Sequence, residues 1–301
     1  MPEEIIQRIL DLKKERRAII LAHNYQRGEV QDIADYVGDS LELSRKASQT
    51  DADVIVFCGV HFMAETAKIL SPEKVVLLPD REAGCPMADM ITEEQLIREK
   101  SGIPGCRVVC YVNSSAAVKA EAHVCCTSAN AVRVVQSLRR EGTVLFIPDQ
   151  YLGQYVMEQS GRQLKLWPGY CPTHMKITAR DIDAQKKRHP GAKVLVHPEC
   201  RPDVIQAADE VLSTGGMIRY ARDYKGESLI IGTETGILHR LKKENPRIRF
   251  IPVSDKCVCP NMKKTTLEKV LFSLQEMGPT IEVPEDIRIR ALEAVENMLA
   301  I

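Results

Sequence analysis

The chain repeats itself at intervals of 86 to 88 residues, and no other feature restricts its architecture as much. Three apolar, β-branched segments end in short polar clusters: 17–26 (RAIILAHNYQ), 107–115 (RVVCYVNSS) and 193–200 (KVLVHPEC). Superposing them pairs His23 with Tyr111 and His197, and Tyr25 with Asn113 and Glu199. A helical stretch follows each cluster (29–36, 116–122 and 202–208), and after it a second small polar group. Ser40, Ser128 and Thr214 in those groups keep the same spacing of 88 and then 86 residues. A second strand (53–60, 143–150, 228–235) and a third (74–81, 163–170, 247–256) complete each unit.

Short strands alternating with longer helices predict parallel β-α-β units with helices on both faces of the sheet. The expectation is an α/β protein of three three-layer αβα sandwiches, spanning 1–86, 87–172 and 173–262 and related by a pseudo-threefold axis. A helical tail, 263–301, would pack back on the body. Ligand crevices in such sheets lie beyond the carboxyl ends of the strands, where all the polar clusters sit. The active site is therefore expected at the central junction of the three units.

Charge narrows the partners. The 301 residues carry 41 basic and 41 acidic side chains, which argues against nucleic acid or a membrane surface and for small molecules. The longest apolar runs, 54–58 and 75–79, fall far short of the roughly 20 residues of a membrane span. The N-terminal stretch reads as a charged amphipathic helix and not as a secretory signal, so a cytoplasmic protein is expected. Ten cysteines in a reducing compartment are not expected to form five disulfides.

Three of the ten carry the repeat. Each third strand leads to a Cys-Pro dipeptide: Cys85-Pro86, Cys171-Pro172 and Cys259-Pro260. Constant spacing would select Cys257, 86 residues after Cys171, but the shared dipeptide selects Cys259. The other seven read as small buried hydrophobes, the usual fate of a free thiol. Three thiolates converging on one axis suit a 4Fe–4S cluster with one open, Lewis-acidic iron, with three-cysteine zinc as the alternative.

The strings LAHNYQRGEVQDIADYVGDSLELS, FCGVHFMAETAKIL, YVNSSAAVKAEA, CTSAN, PDQYLG, GYCPTH, VHPEC, STGGM, GTETGILHRL and CPNMK resemble the quinolinate synthase family over essentially residues 18–263. The resemblance implies a triplicated αβα fold and a 4Fe–4S cluster held by Cys85, Cys171 and Cys259. It also implies condensation of iminoaspartate with dihydroxyacetone phosphate, with loss of phosphate and two waters, in NAD biosynthesis. Substrate contacts carry over to His23, Ser40, Tyr111, Asn113, Ser128, His197, Glu199 and Thr214. Transient contact with an iminoaspartate-producing enzyme is a further implication. An aconitase-type hydro-lyase acting on a small hydroxy acid is the competing reading.

The residue types suit that chemistry. Ser40, Ser128 and Thr214 are expected at helix N-termini, where backbone N–H groups and the helix dipole favour an anion, although plain N-capping is the ordinary job of such residues. His23 and His197 titrate near neutrality when unperturbed, and burial would raise Glu199. Glu199 is expected as the principal base, assisted by Tyr25 and His197, with Tyr111 and Asn113 orienting substrate. His174 is expected to line the cavity or to support a metal ligand.

Overall fold

The computed structural model describes residues 2–139 and 142–301. Helix α1 (Pro2–Glu15) leads into β1 (Ala18–His23), α2 (Gly28–Ile33), β2 (Tyr36–Gly38), α3 (Ser40–Gln49), β3 (Val54–Cys58), α4 (His61–Leu70) and β4 (Val75–Leu77). The second unit runs α5 (Glu93–Ser101), β5 (Arg107–Tyr111), α6 (Ala116–Ala120), β6 (Val124–Cys126), α7 (Ala131–Ser137), β7 (Val144–Ile147), α8 (Gln150–Ser160) and β8 (Lys165–Leu166). The third runs α9 (Ala179–Arg188), β9 (Lys193–Val196), α10 (Pro202–Gln206), β10 (Glu210–Val211), α11 (Thr214–Asp223), β11 (Ser228–Gly232), α12 (Ile237–Glu244) and β12 (Arg249–Pro252). Helices α13 (Leu267–Glu276) and α14 (Glu285–Leu299) close the chain.

The strands form three four-stranded parallel sheets of identical order: β2-β1-β3-β4, β6-β5-β7-β8 and β10-β9-β11-β12. Each order reverses beside its first strand, so β1, β5 and β9 border a topological switch point. Each sheet therefore has one strand more than the three expected. The extra strands β2, β6 and β10 are only two or three residues long, too short to carry a periodic signal, and they occupy part of what reads as helix and polar loop.

Alternate residues of a strand point to opposite faces, and here both faces are covered. Ile19 and Leu21 of β1 pack with Leu43 of α3 and Ala64 of α4. Ile20 and Ala22 pack on the other side with Ile9 of α1, Val30 of α2 and Val270 of α13. The third sheet divides in the same way: Val194 and Val196 face Ile182 and Val204, whereas Leu195 faces Met217 and Leu241. The tail does return to the body. Helix α13 covers the first sheet, residues 279–281 hydrogen-bond along the edge of β4, and α14 packs on α6, β6 and α4.

Candidate active site

Each sheet sends its first strand toward one cavity of about 210 Å³. All thirteen residues singled out from sequence line it, His174 among them, and they come from in and around all three sheets. The first and third strands end in the same local turn. The His23 ring accepts the Tyr25 N–H on Nδ1 at 3.2 Å, and the His197 ring accepts the Glu199 N–H on Nδ1 at 3.3 Å. With Nδ1 used as an acceptor, the neutral ring carries its proton on Nε2. His197 Nε2 accordingly lies 3.1 Å from Ser128 Oγ. Burial pushes both His23 and His197 down to about 3, against the raising influence of Glu199. They are therefore neutral hydrogen-bonding groups near pH 7, and not the titrating pair expected from their type.

Glu199 is the hub. Its Oε1 accepts the Tyr111 hydroxyl at 2.5 Å, and Oε2 lies 2.8 Å from His174 Nδ1. Burial favours the neutral acid, but His174 and His197, together with the hydrogen bonds from His174 and Tyr111, outweigh it. Glu199 is thus held below the ordinary carboxylate range, opposite to the direction that burial alone predicts. Tyr111 and Tyr25 are pushed well above the ordinary phenol value by burial, with Glu199 adding to both shifts.

Thr233, which no sequence signal singled out, extends this network. Its Oγ1 is 2.5 Å from the Tyr25 hydroxyl and 2.9 Å from His174 Nε2. A run of hydrogen bonds therefore connects Tyr25, Thr233, His174, Glu199 and Tyr111. The His174 ring also stacks on His197, with centroids 4.8 Å apart.

The hydroxyl residues fall into two classes. Asp39 caps α3 through the N–H groups of Leu41 and Glu42, and Ser213 caps α11 through Gly216. Ser40 and Thr214 are consequently the first residues inside their helices, and their hydroxyls are not used for capping. Ser128 departs from expectation: it sits in a turn three residues ahead of α7, whose cap position is Asn130. Gly215 allows the close approach of α11 to the first unit, since a Cβ there would stand 2.5 Å from Asp39 Oδ2. Asn113 Oδ1 is buried without a hydrogen-bond partner among the described residues.

Cys85, Cys171 and Cys259 lie in loops five to eight residues past β4, β8 and β12, not at the strand ends themselves, and all three line the cavity. Burial pushes Cys85 up to about 12, and the facing Cys259 adds to the shift. Cys171 is raised by burial, then by Glu199, with Cys85 contributing. Two acids that sequence reading missed support these loops. Fully buried Glu234 accepts the Cys259 N–H at 3.1 Å and pairs with Lys263 at 3.0 Å. Fully buried Asp149 adopts φ of 68°, a constrained conformation for a non-glycine residue, and its carboxylate lies against the backbone of Cys171. Both acids lie two residues past the end of a strand, Asp149 after β7 and Glu234 after β11, an equivalent position that the repeat itself marks. The ligating atoms of Cys171, His174 and Glu199 all lie within 4.8 Å of one another.

The donor set fits a three-thiolate iron–sulfur cluster. One cysteine comes from the loop after the last strand of each sheet, and apolar Val60, Phe62, Met87 and Met262 wall the cavity. Cys257, by contrast, is fully buried in the core of the third unit, with its Sγ directed at Thr173 O at 3.5 Å. All ten cysteines are free thiols.

Comparison with known proteins gives a single answer. The family model described as Quinolinate synthetase A protein (NadA) matches residues 7–300. A quinolinate synthase of Dehalococcoides mccartyi strain CBDB1 is 61% identical over 99% of both chains. That of Thermodesulfovibrio yellowstonii is 55% identical over 100% of this chain and 99% of its own. That of Methanosarcina barkeri is 54% identical over 99% of this chain and 98% of its own. The hydro-lyase alternative is not favoured by matches that run through the whole length. No helix among the described residues is long and apolar enough to cross a membrane. The chain belongs to the quinolinate synthetase A family.

Proposed function

We propose that the chain is a quinolinate synthase that condenses iminoaspartate with dihydroxyacetone phosphate, releasing phosphate and two waters, in NAD biosynthesis. The observation that carries this reading is one cavity lined by an ionised Glu199, two neutral histidines and three cysteines drawn from three sheets. The junction of three αβα domains, 1–86, 87–172 and 173–262, with 263–301 as the tail, is our reading of the three sheets. The third unit is supported by its own core on each face of its sheet, whereas one face of the first sheet shares a continuous core with the second.

Cys85, Cys171 and Cys259 would hold a 4Fe–4S cluster, which supplies an open Lewis-acidic iron when bound. The chain's own groups do the rest. Ser40, Ser128, Thr214 and the N-termini of α3 and α11 would receive the substrate carboxylates. His23 offers Nε2–H as a neutral donor. Glu199, kept ionised, takes protons during dehydration and ring closure, and Tyr111 returns one through its 2.5 Å hydrogen bond. Tyr25, acting through Thr233 and His174, and His197 support Glu199, and Asn113 Oδ1 is an unused acceptor for a substrate N–H. Free thiols and such a cluster suit the cytoplasm. Iminoaspartate is short-lived, so transient contact with the enzyme that makes it is part of this reading.

The test is anaerobic turnover of the iron-reconstituted protein with iminoaspartate and dihydroxyacetone phosphate. Quinolinate and phosphate in equal amounts support the proposal. Dehydration of a hydroxy acid with no phosphate released would replace it with the hydro-lyase reading.

A further inference from the structure

We propose that Asn24 fixes the polarity of the Thr214 hydroxyl, so that Thr214 donates its hydrogen into the cavity and its partner there is an acceptor, a carboxylate oxygen of the substrate. This inference rests on the functional reading above and names a residue for it that neither the repeat nor the cavity lining reveals.

The argument is one of donors and acceptors. Arg240 of α12 places Nη1 3.0 Å from Asn24 Oδ1 and 2.5 Å from the carbonyl of Val37. A guanidinium has donors only, so the amide oxygen of Asn24 must face it and the amide nitrogen must face the other way. That nitrogen, Nδ2, lies 3.0 Å from Thr214 Oγ1. An amide NH₂ also only donates, so Thr214 accepts from Asn24. Its single hydrogen is left over, and Thr214 lines the cavity.

Asn24 is fully buried and its backbone is held in place. Its N–H donates to Gly38 O at 3.0 Å, and its carbonyl accepts Gln31 Nε2 at 3.3 Å. The second unit reaches the same result by another route. His197 has Nδ1 engaged by the Glu199 N–H, so Nε2–H donates to Ser128 Oγ, and the Ser128 hydrogen is likewise free for the cavity. Two hydroxyls from different units are thus set as donors, the arrangement a dicarboxylate requires. Asn24 is a positioning residue, because it acts through Thr214.

The test is a double-mutant cycle on the anaerobically isolated holoenzyme, with pyridine-2,3-dicarboxylate as probe in calorimetric titration. In Asn24→Asp, Arg240 still has an acceptor, but the new carboxylate draws the Thr214 hydrogen away from the cavity. The dissociation constant is expected to rise about tenfold, as for loss of a hydrogen bond to a charged group, with KM rising and kcat retained. Thr214→Val should cost a similar factor, and adding Asn24→Asp to it should cost almost nothing more. An equal penalty for Asn24→Asp in the Thr214→Val background would mean that only the added charge acts, which overturns the proposal; so would an unchanged dissociation constant. Arg240→Met, outside the cavity, frees the amide to rotate and should weaken binding only while Thr214 is present; weakening of equal size in Thr214→Val overturns the proposal. A wild type that neither binds the dicarboxylate nor forms quinolinate refutes the functional reading itself, and this inference with it.

Discussion

The Tyr111 hydroxyl donates a 2.5 Å hydrogen bond to Glu199 Oε1, joining the end of β5 to the turn after β9 across the cavity. Tyr111→Phe removes that donor and leaves the ring in place. Turnover should fall on the order of a hundredfold, the usual scale for one acid–base partner, while iron content stays unchanged. Glu199→Gln should abolish turnover with the cluster absorbance intact. Normal turnover in either variant would remove that residue from the chemistry.

Thr233 is held between the Tyr25 hydroxyl and His174 Nε2, both inside the protein. Thr233→Val keeps the shape and leaves both partners unsatisfied. A loss of about 1–3 kcal/mol in denaturant unfolding is expected, because buried polar groups without partners carry their full desolvation cost. Turnover should drop with it. Unchanged stability would show that water replaces the hydroxyl.

Gly215→Ala and Gly102→Ala make a matched pair. At Gly215 the new Cβ would stand 2.5 Å from Asp39 Oδ2, whereas at Gly102 the nearest atom is a carbonyl oxygen 3.6 Å away. The first substitution should destabilise by about 1–3 kcal/mol, the scale for overpacking. The second should be neutral or stabilise by a few tenths of a kcal/mol through the unfolded chain. Equal melting temperatures for the two would contradict the close approach of α11 to Asp39.

Asp32 on α2 bridges to α12, 3.0 Å from His239 and 2.5 Å from Lys243. Its small burial raises its pKa, but the hydrogen bonds from Lys243 and His239 prevail and bring it below the ordinary 3.8. A carboxylate depressed in the folded state adds stability above the unfolded value and loses it as pH falls through the folded one. Asp32→Asn should therefore lower stability near neutral pH by no more than about 0.5 kcal/mol, given its exposure to solvent. The gap from wild type should close below about pH 3.8 and narrow in high salt. A gap that persists in acid would mean that the pair is not the cause.

The alternation of apolar strands with polar ends made the triplication legible, because sheets buried on both faces require continuous β-branched runs. It also placed all thirteen candidate residues on one cavity. Strands β2, β6 and β10 were hidden by their brevity, and Ser128 read as a helix start because its offset matched Ser40 while its turn did not. The ionisation states ran against residue type. Neutral His23 and His197 follow from their depth in the cavity, and the charge on Glu199 follows from His174, a partner that only the fold brings to 2.8 Å. Asn24 and Thr233 act on other residues of the site, and a single sequence carries no separate mark for such support; Asp149 and Glu234 were legible only as equivalent positions two residues past β7 and β11.

The central claim is that one cysteine from each unit holds the cluster. Iron and sulfide counts on anaerobically reconstituted Cys259→Ala and Cys257→Ala test it most directly. The account predicts cluster loss in Cys259→Ala, and about four irons and four sulfides retained in Cys257→Ala, whose thiol points into the core. A cluster that survives Cys259→Ala and is lost in Cys257→Ala would contradict it.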